Sequence, residues 1–321
     1  MQNLPPMTRR RACAAIALAA LLPRRALSQD TVPDVDVLDM AWRDERRGRE
    51  VPVRLYLPAS AAAVPLVVFS HGIGGSRFGY SYLGRHWAES GWASLHLQHV
   101  GSDRDLWFGS VFGLPERLRD AATDTEAIAR VHDLRFALDR VLDGPLGPRL
   151  DAARVVAAGH SYGANTTLLA AGARVVRDGA AVPLRDERVR AAIVISAPPF
   201  YGERSFAPIL GGIEVPSLHV TATADDIRIP GFWSGVDDRI AVFDAIGGRP
   251  KALAVFEGGS HSIFTDRGGT GGPALNPQVK AATRELSVAF LRRVFDGDAA
   301  PLLQWPTRHA GIVARFSALG A

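Results

Sequence analysis

Cysteine is nearly absent from this chain of 321 residues: the only one, Cys13, lies within the first 28. The rest can form neither a disulfide nor a thiolate metal site. The histidines near strand ends, His71, His96, His99 and His160, are scattered without the H-E-x-x-H spacing of a zinc helix, so no metal is expected. The glycine loop His71-Gly-Ile-Gly-Gly-Ser76 is not G-x-G-x-x-G and holds no lysine, which argues against a nucleotide cofactor. No apolar run after residue 28 is long enough to span a bilayer. An excess of one charge is lacking too. The net charge of +4 comes from Arg9, Arg10, Arg11, Arg24 and Arg25, and the remainder carries 32 basic against 33 acidic residues, about −1. A nucleic-acid partner is therefore not expected. What is present is an apolar fraction of 47%, ample for the core of a globular protein, with no internal repeat or dividing linker.

The first 28 residues read as an address. Arg9-Arg10-Arg11 precede an apolar run at 12–22 and then Ala26-Leu27-Ser28-Gln29, with small residues where a signal peptidase reads. An apolar helix of that length reaches only ~16 Å, short of the ~30 Å bilayer core. The expectation is a signal peptide over 1–28, of the twin-arginine type, and a single domain over 29–321. The mature protein is expected to be periplasmic or secreted, without stable membrane insertion.

Short apolar runs alternate with helical patterns. Residues 35–40 and 51–57 predict a hairpin at a sheet edge, with residues 43–48 as its turn. Residues 65–70, 92–96, 155–158, 190–196, 217–223 and 251–256 read as buried strands. Residues 80–90, 118–142, 166–173 and 277–295 read as helices, and 101–115 as a long loop. This order implies an α/β fold with a mostly parallel sheet covered by helices on both faces.

Within that pattern Gly159-His-Ser-Tyr-Gly163 follows a strand and precedes a helix. A serine forced into such a turn needs very small neighbours two residues away on each side, and glycines stand at both places. Ser161 is thus the candidate nucleophile. Serine needs a base, and the base needs a carboxylate to fix its tautomer. His261 and the Asp225/Asp226 pair each stand just past a predicted strand, where functional groups of parallel sheets gather. Asp225 is favoured because the strand should end there; Asp226, four residues before Pro230, is the alternative. The loop from His71 is a candidate anion site. Trp107 and Phe108, with Phe232 and Trp233 beside the acid turn, are candidate pocket residues or simply packing.

Together H-G-I-G-G-S, G-H-S-Y-G, the A-D-D turn and G-G-S-H resemble the α/β-hydrolase superfamily. More narrowly they are similar to its dienelactone-hydrolase-like and platelet-activating-factor-acetylhydrolase-like branch, and the mature chain is also similar to cutinase-type polyester hydrolases. The resemblance implies an α/β-hydrolase fold without a large cap and a Ser161, Asp225, His261 triad. It further implies an oxyanion hole from the backbone N–H groups of Ile73 and Tyr162, no cofactor, and a small-molecule or polymeric ester as substrate. Two departures stand out: dienelactone hydrolases use cysteine where Ser161 stands, and the acetylhydrolases place their acid where this chain reads Ser196-Ala-Pro-Pro. A peptidase or amidase on the same fold, or a non-catalytic binding protein, are the competing readings.

Overall fold

A computed structural model describes residues 34–177, 179–203, 205–229, 231–267 and 270–320. The expected signal peptide lies outside the described residues. The chain begins with a hairpin of β1 (Val35–Asp44) and β2 (Arg49–Pro58), paired from Val35 with Pro58 to Asp44 with Arg49. Its strands are longer than the apolar pattern suggests. Arg43 and Asp44 belong to the ladder, and Gly48 at φ 61° closes the shorter turn. Then follow β3 (Val64–Ser70), α1 (Ser81–Glu89) and β4 (Ala93–Leu97), with Gly91 at φ 86° stopping α1 as expected.

The helix expected over 118–142 is two helices, α2 (Leu114–Ala121) and α3 (Asp124–Leu142). Thr123 between them is extended, and its hydroxyl accepts the Glu126 N–H at 3.3 Å. The capping bond starts a new helix where apolar periodicity alone runs on. Next come β5 (Leu150–His160) and α4 (Tyr162–Ala170), which begins before the expected residue 166 and directly after Ser161. A small hairpin of β6 (Val176–Arg177) and β7 (Ala180–Ala181) leads to β8 (Val189–Ile195), α5 (Ala207–Leu210) and β9 (Ser217–Ala224). A second hairpin, β10 (Ile227–Ile229) with β11 (Phe232–Ser234), precedes α6 (Val236–Ala245) and β12 (Lys251–Ser260). The chain closes with α7 (Gly272–Phe295), α8 (Ala300–Arg308) and β13 (Val313–Leu319).

Nine strands make one sheet in the order β1-β2-β4-β3-β5-β8-β9-β12-β13. Every neighbouring pair from β4 to β12 is parallel, and antiparallel pairs occur only at the two edges. The fold is α/β with no separate cap domain evident among the described residues. Side-chain alternation divides the interior into two large cores, with a small third cluster of Phe243, Leu253 and Val255 under α6. Leu66, Val68, Val155 and Ala157 face α3 and α4, whereas Val67, Phe69, Val156 and Ala158 face α1, α7 and α8. No described helix is long and apolar enough to cross a membrane.

The C-terminal elements complete the second core. Trp305 of α8 is fully buried, donates its indole N–H to the Ala282 carbonyl at 2.9 Å and packs edge-on against Phe256 of β12. It thereby supports the strand that ends at His261. Trp305→Ala should cost about 3–5 kcal/mol of unfolding free energy, as expected for emptying a large aromatic site. Urea denaturation checks this, and a loss below 1 kcal/mol would mean that α8 is not part of the cooperative core.

Candidate functional site

The parallel strands end at one edge of the sheet, and there the chain places Ser161, Asp225 and His261. Ser161 has φ 56° and ψ −124°, a conformation a non-glycine residue holds only at a cost of order 1–3 kcal/mol. A side chain at Gly159 would overlap the Gly163 carbonyl, and one at Gly163 would overlap the Ser70 carbonyl of β3. The Ser161 N–H donates to Ile195 at the end of β8, 2.9 Å away. Three adjacent strands therefore fix the turn.

His261 follows β12 directly. Its Nε2 lies 2.8 Å from Ser161 Oγ and its Nδ1 2.6 Å from Asp225 Oδ1. With Nδ1–H given to the carboxylate, Nε2 is left to accept the serine proton. Asp225 is fully buried, and its Oδ2 accepts from Thr221 at 2.7 Å. Burial acts to raise its pKa, but the hydrogen bond and charge of His261 and the nearby Arg239 guanidinium outweigh it and hold the carboxyl well below the usual range. Arg239, buried on α6, approaches Oδ1 at 3.6 Å. The alternative acid Asp226 points elsewhere and pairs with Arg228 at 2.7 Å near the surface.

His160 supports this arrangement from below. Its Nε2–H donates to the backbone carbonyl of His261 at 2.9 Å, and its Nδ1 takes the Tyr80 hydroxyl at 2.8 Å. Burial lowers its pKa to about 3, so the ring stays neutral and keeps these roles.

The backbone N–H groups of Ile73 and Tyr162 donate to no partner among the described residues, and both residues line a cavity that Ser161 also lines. Tyr162 is the first residue of α4, whose N-terminal end favours negative charge. The loop carrying Ile73 is held by Gly74 N–H on the Ser102 carbonyl (2.9 Å) and by His71. The His71 Nδ1–H donates to the Gly72 carbonyl at 2.7 Å, while Nε2 accepts the His99 N–H at 3.1 Å.

Under this loop lies a group of charges that the sequence reading missed. Arg130 of α3, fully buried, donates to the His71 carbonyl, to Ser102 Oγ at 2.8 Å and to Thr166 Oγ1 at 2.9 Å, and stands 4.5 Å over the Tyr162 ring. Burial lowers its pKa only to about 10, so it remains a cation at neutral pH. Asp133, one turn further along α3, takes Arg47 at 2.8 Å, Arg49 at 2.9 Å and His99 at 3.0 Å. The available signal was the spacing of Glu126, Arg130 and Asp133, which puts three charges on or beside the stripe of Val131, Leu134 and Ala137.

Two cavities meet at Ser161. One of ≈ 230 Å³ is mainly apolar, lined among others by Leu118, Leu169, Phe200 and Phe232. The other, of ≈ 600 Å³, is a groove lined by His261, Trp107 and five charged side chains, Arg104, Asp226, Arg228, Asp266 and Arg267. Trp107 both lines the groove and pins the glycine loop, donating Nε1–H to the Gly74 carbonyl at 2.7 Å. Phe232 packs edge-on against Tyr201 in the apolar wall. Phe108 (69% exposed) and Trp233 (67% exposed) line neither cavity. Among the described residues no group of three or more His, Cys, Asp or Glu is placed to hold a metal ion.

Searched against models of protein families, the chain gives no match, and no curated protein compared with it is similar.

The geometry separates the two carboxylates by experiment. Asp225→Asn should lower any Ser161-dependent turnover by about 10⁴-fold through the wrong His261 tautomer, whereas Asp226→Asn should change it less than about threefold. Comparable losses in both variants would contradict the assignment of Asp225. The buried imidazoles set a second expectation. Burial lowers the pKa of His96, His99, His160 and His219 to about 3 and pushes His71 well down. Below pH ~6.5 the unfolded chain binds protons that the folded chain does not, so stability is lost as pH falls, by up to about 1.4 kcal/mol per pH unit for each ring. Denaturation midpoints should already drop steeply between pH 6.5 and 5, ahead of carboxylate titration. A flat profile there would show that these rings bind protons in the folded state.

Proposed function

We propose that this chain is a serine carboxylester hydrolase of the α/β-hydrolase superfamily, working through an acyl-enzyme. The observation that carries the reading is the chain of contacts from Asp225 through His261 to Ser161, at 2.6 and 2.8 Å, beside two undonated backbone amides. His261 takes the Ser161 proton as Oγ attacks the ester carbonyl carbon. The oxyanion is held by the N–H groups of Ile73 and Tyr162, fixed before substrate arrives and needing no reorganisation. The C–O bond to the alcohol breaks as His261 returns the proton to the leaving oxygen, and water activated by the same histidine then releases the acid. Asp225 keeps Nδ1–H in place and stabilises the imidazolium. The step needs no cofactor. The N-terminal sequence adds an export route to this reading.

No observation favours a peptidase or a non-catalytic binding protein over an esterase. Ser161→Ala should reduce hydrolysis of p-nitrophenyl butanoate by about 10⁴-fold or more and abolish labelling by a fluorophosphonate, while leaving the thermal midpoint within a few degrees. Turnover retained in that variant would remove Ser161 as the nucleophile. A matched anilide run alongside identifies an amidase if it is cleaved as fast as the ester.

A further inference from the structure

We propose that the two cavities divide the ester, the smaller one taking the acyl chain and the charge-lined groove an anionic alcohol, with Arg104 and Arg267 as specificity-determining residues. The inference rests on Ser161 acting as nucleophile and adds direction to the site. The argument begins with the proton. His261 must deliver it to the alcohol oxygen, so that oxygen leaves on the side of Ser161 that His261 faces. His261 lines the groove of ≈ 600 Å³ and not the apolar cavity. Ser161, Ile73, Ile227 and Ile229 line both, which places the reacting carbon at their junction. The acyl group then has the apolar cavity left to it.

The two walls differ in chemistry. Leu118, Ala127, Leu169, Phe200 and Phe232 offer hydrocarbon to the acyl chain. The same wall also holds the Asp124 and Arg177 ion pair, against which a hydrocarbon tail gains nothing, so acyl length has an optimum. In the groove stand three arginines and two aspartates. Asp226 neutralises Arg228 at 2.7 Å, and Asp266 accepts the Ser81 N–H at 3.0 Å. Arg104 and Arg267 form no ion pair among the described residues. Two guanidinium groups thus line the leaving-group side without an ion-pair partner, and with Asp266 counted the groove keeps a net charge of +1, a fit for a carboxylate or phosphate carried on the alcohol.

The test uses the full chain and chromogenic esters of one nitrophenol frame. 4-Acyloxy-3-nitrobenzoate is compared with its neutral isostere, the 4-acyloxy-3-nitrobenzamide, with acyl chains from acetyl to decanoyl. The expected kcat/KM rises about fourfold per methylene that fits the apolar cavity and then falls. It should favour the benzoate over the benzamide by about tenfold at low ionic strength, through KM, and less so at 0.5 M salt. In Arg104→Gln and Arg267→Gln that ratio should move toward one. A merely structural loss lowers both esters together and leaves the ratio alone. Equal rates on the two esters in the parent chain, or a ratio that survives both substitutions, would overturn the proposal. If the parent chain cleaves neither ester, the nucleophile reading itself fails; if it cleaves both alike, only the division of the substrate fails.

Discussion

The conformation at Ser161 is the constraint on which the candidate site depends. A serine at φ 56° is strained, and the strain persists because Gly159 and Gly163 let backbone pack where a methyl group would collide. The close approach of Gly163 to Ser70 ties the turn to β3, and the Ser161 N–H ties it to β8. A turn anchored to three neighbouring strands of a filled sheet has little freedom to relax. The energy that holds it comes from the two cores on either face, far larger in sum than the local penalty. Strand packing therefore sets the direction in which the hydroxyl points.

Charge is handled differently on the two sides of this turn. Asp225 is buried with a hydrogen-bonding histidine, a threonine and a nearby arginine, so its ionised form is satisfied in place. His160 is buried without a carboxylate and stays neutral, a hydrogen-bonding strut that locates the His261 backbone. Arg130 is a buried cation whose donors go to oxygen atoms of the loop and of α4. A buried ionic group adds little net stability, since desolvation offsets most of its attraction. Its effect here is geometric: one guanidinium joins His71, Ser102 and Thr166, and so sets the glycine loop against the first turn of α4. That spacing keeps Ile73 and Tyr162 on the wall of one cavity with Ser161.

Much of this was legible because strand ends and glycine turns leave short, local signatures. The parallel strands appear as short, mostly apolar runs, and the residues after them include Ser161, Asp225 and His261. Where two local signals competed, periodicity misled. The apolar stripe runs from 118 to 142, yet the capping hydroxyl of Thr123 divides it. The later elements α8 and β13 carry Trp305 and Phe316 in a stretch interrupted by Pro301 and Pro306, where α8 packs Trp305 on Phe256 and β13 pairs antiparallel with β12. Pairs of aromatics were ambiguous for a related reason. Adjacent residues in an extended segment point to opposite faces, so Phe232 enters the wall while Trp233 faces solvent. Asp225 and Asp226 part for another reason: the chain turns after β9, with the Asp225 N–H on the Ala222 carbonyl and the Asp226 N–H on the Ala224 carbonyl, and only Asp225 meets His261.

The β10 and β11 hairpin joins these themes. It begins two residues after Asp225, and Ile227 and Ile229 contribute to both cavities while Phe232 closes the apolar one. The segment that separates the cavities is thus covalently continuous with the carboxylate that orients His261. A change in hairpin packing would shift the boundary between the cavities and strain the Asp225 turn together. Side chains on α2 and α3 for the apolar wall, and Arg104 for the groove, carry no such coupling because their segments reach the cavities from other parts of the sheet, whereas Arg267 follows His261 by six residues. The fold therefore leaves the outer walls free to vary in size and charge while the junction at Ser161 is held by the elements that also hold the triad geometry.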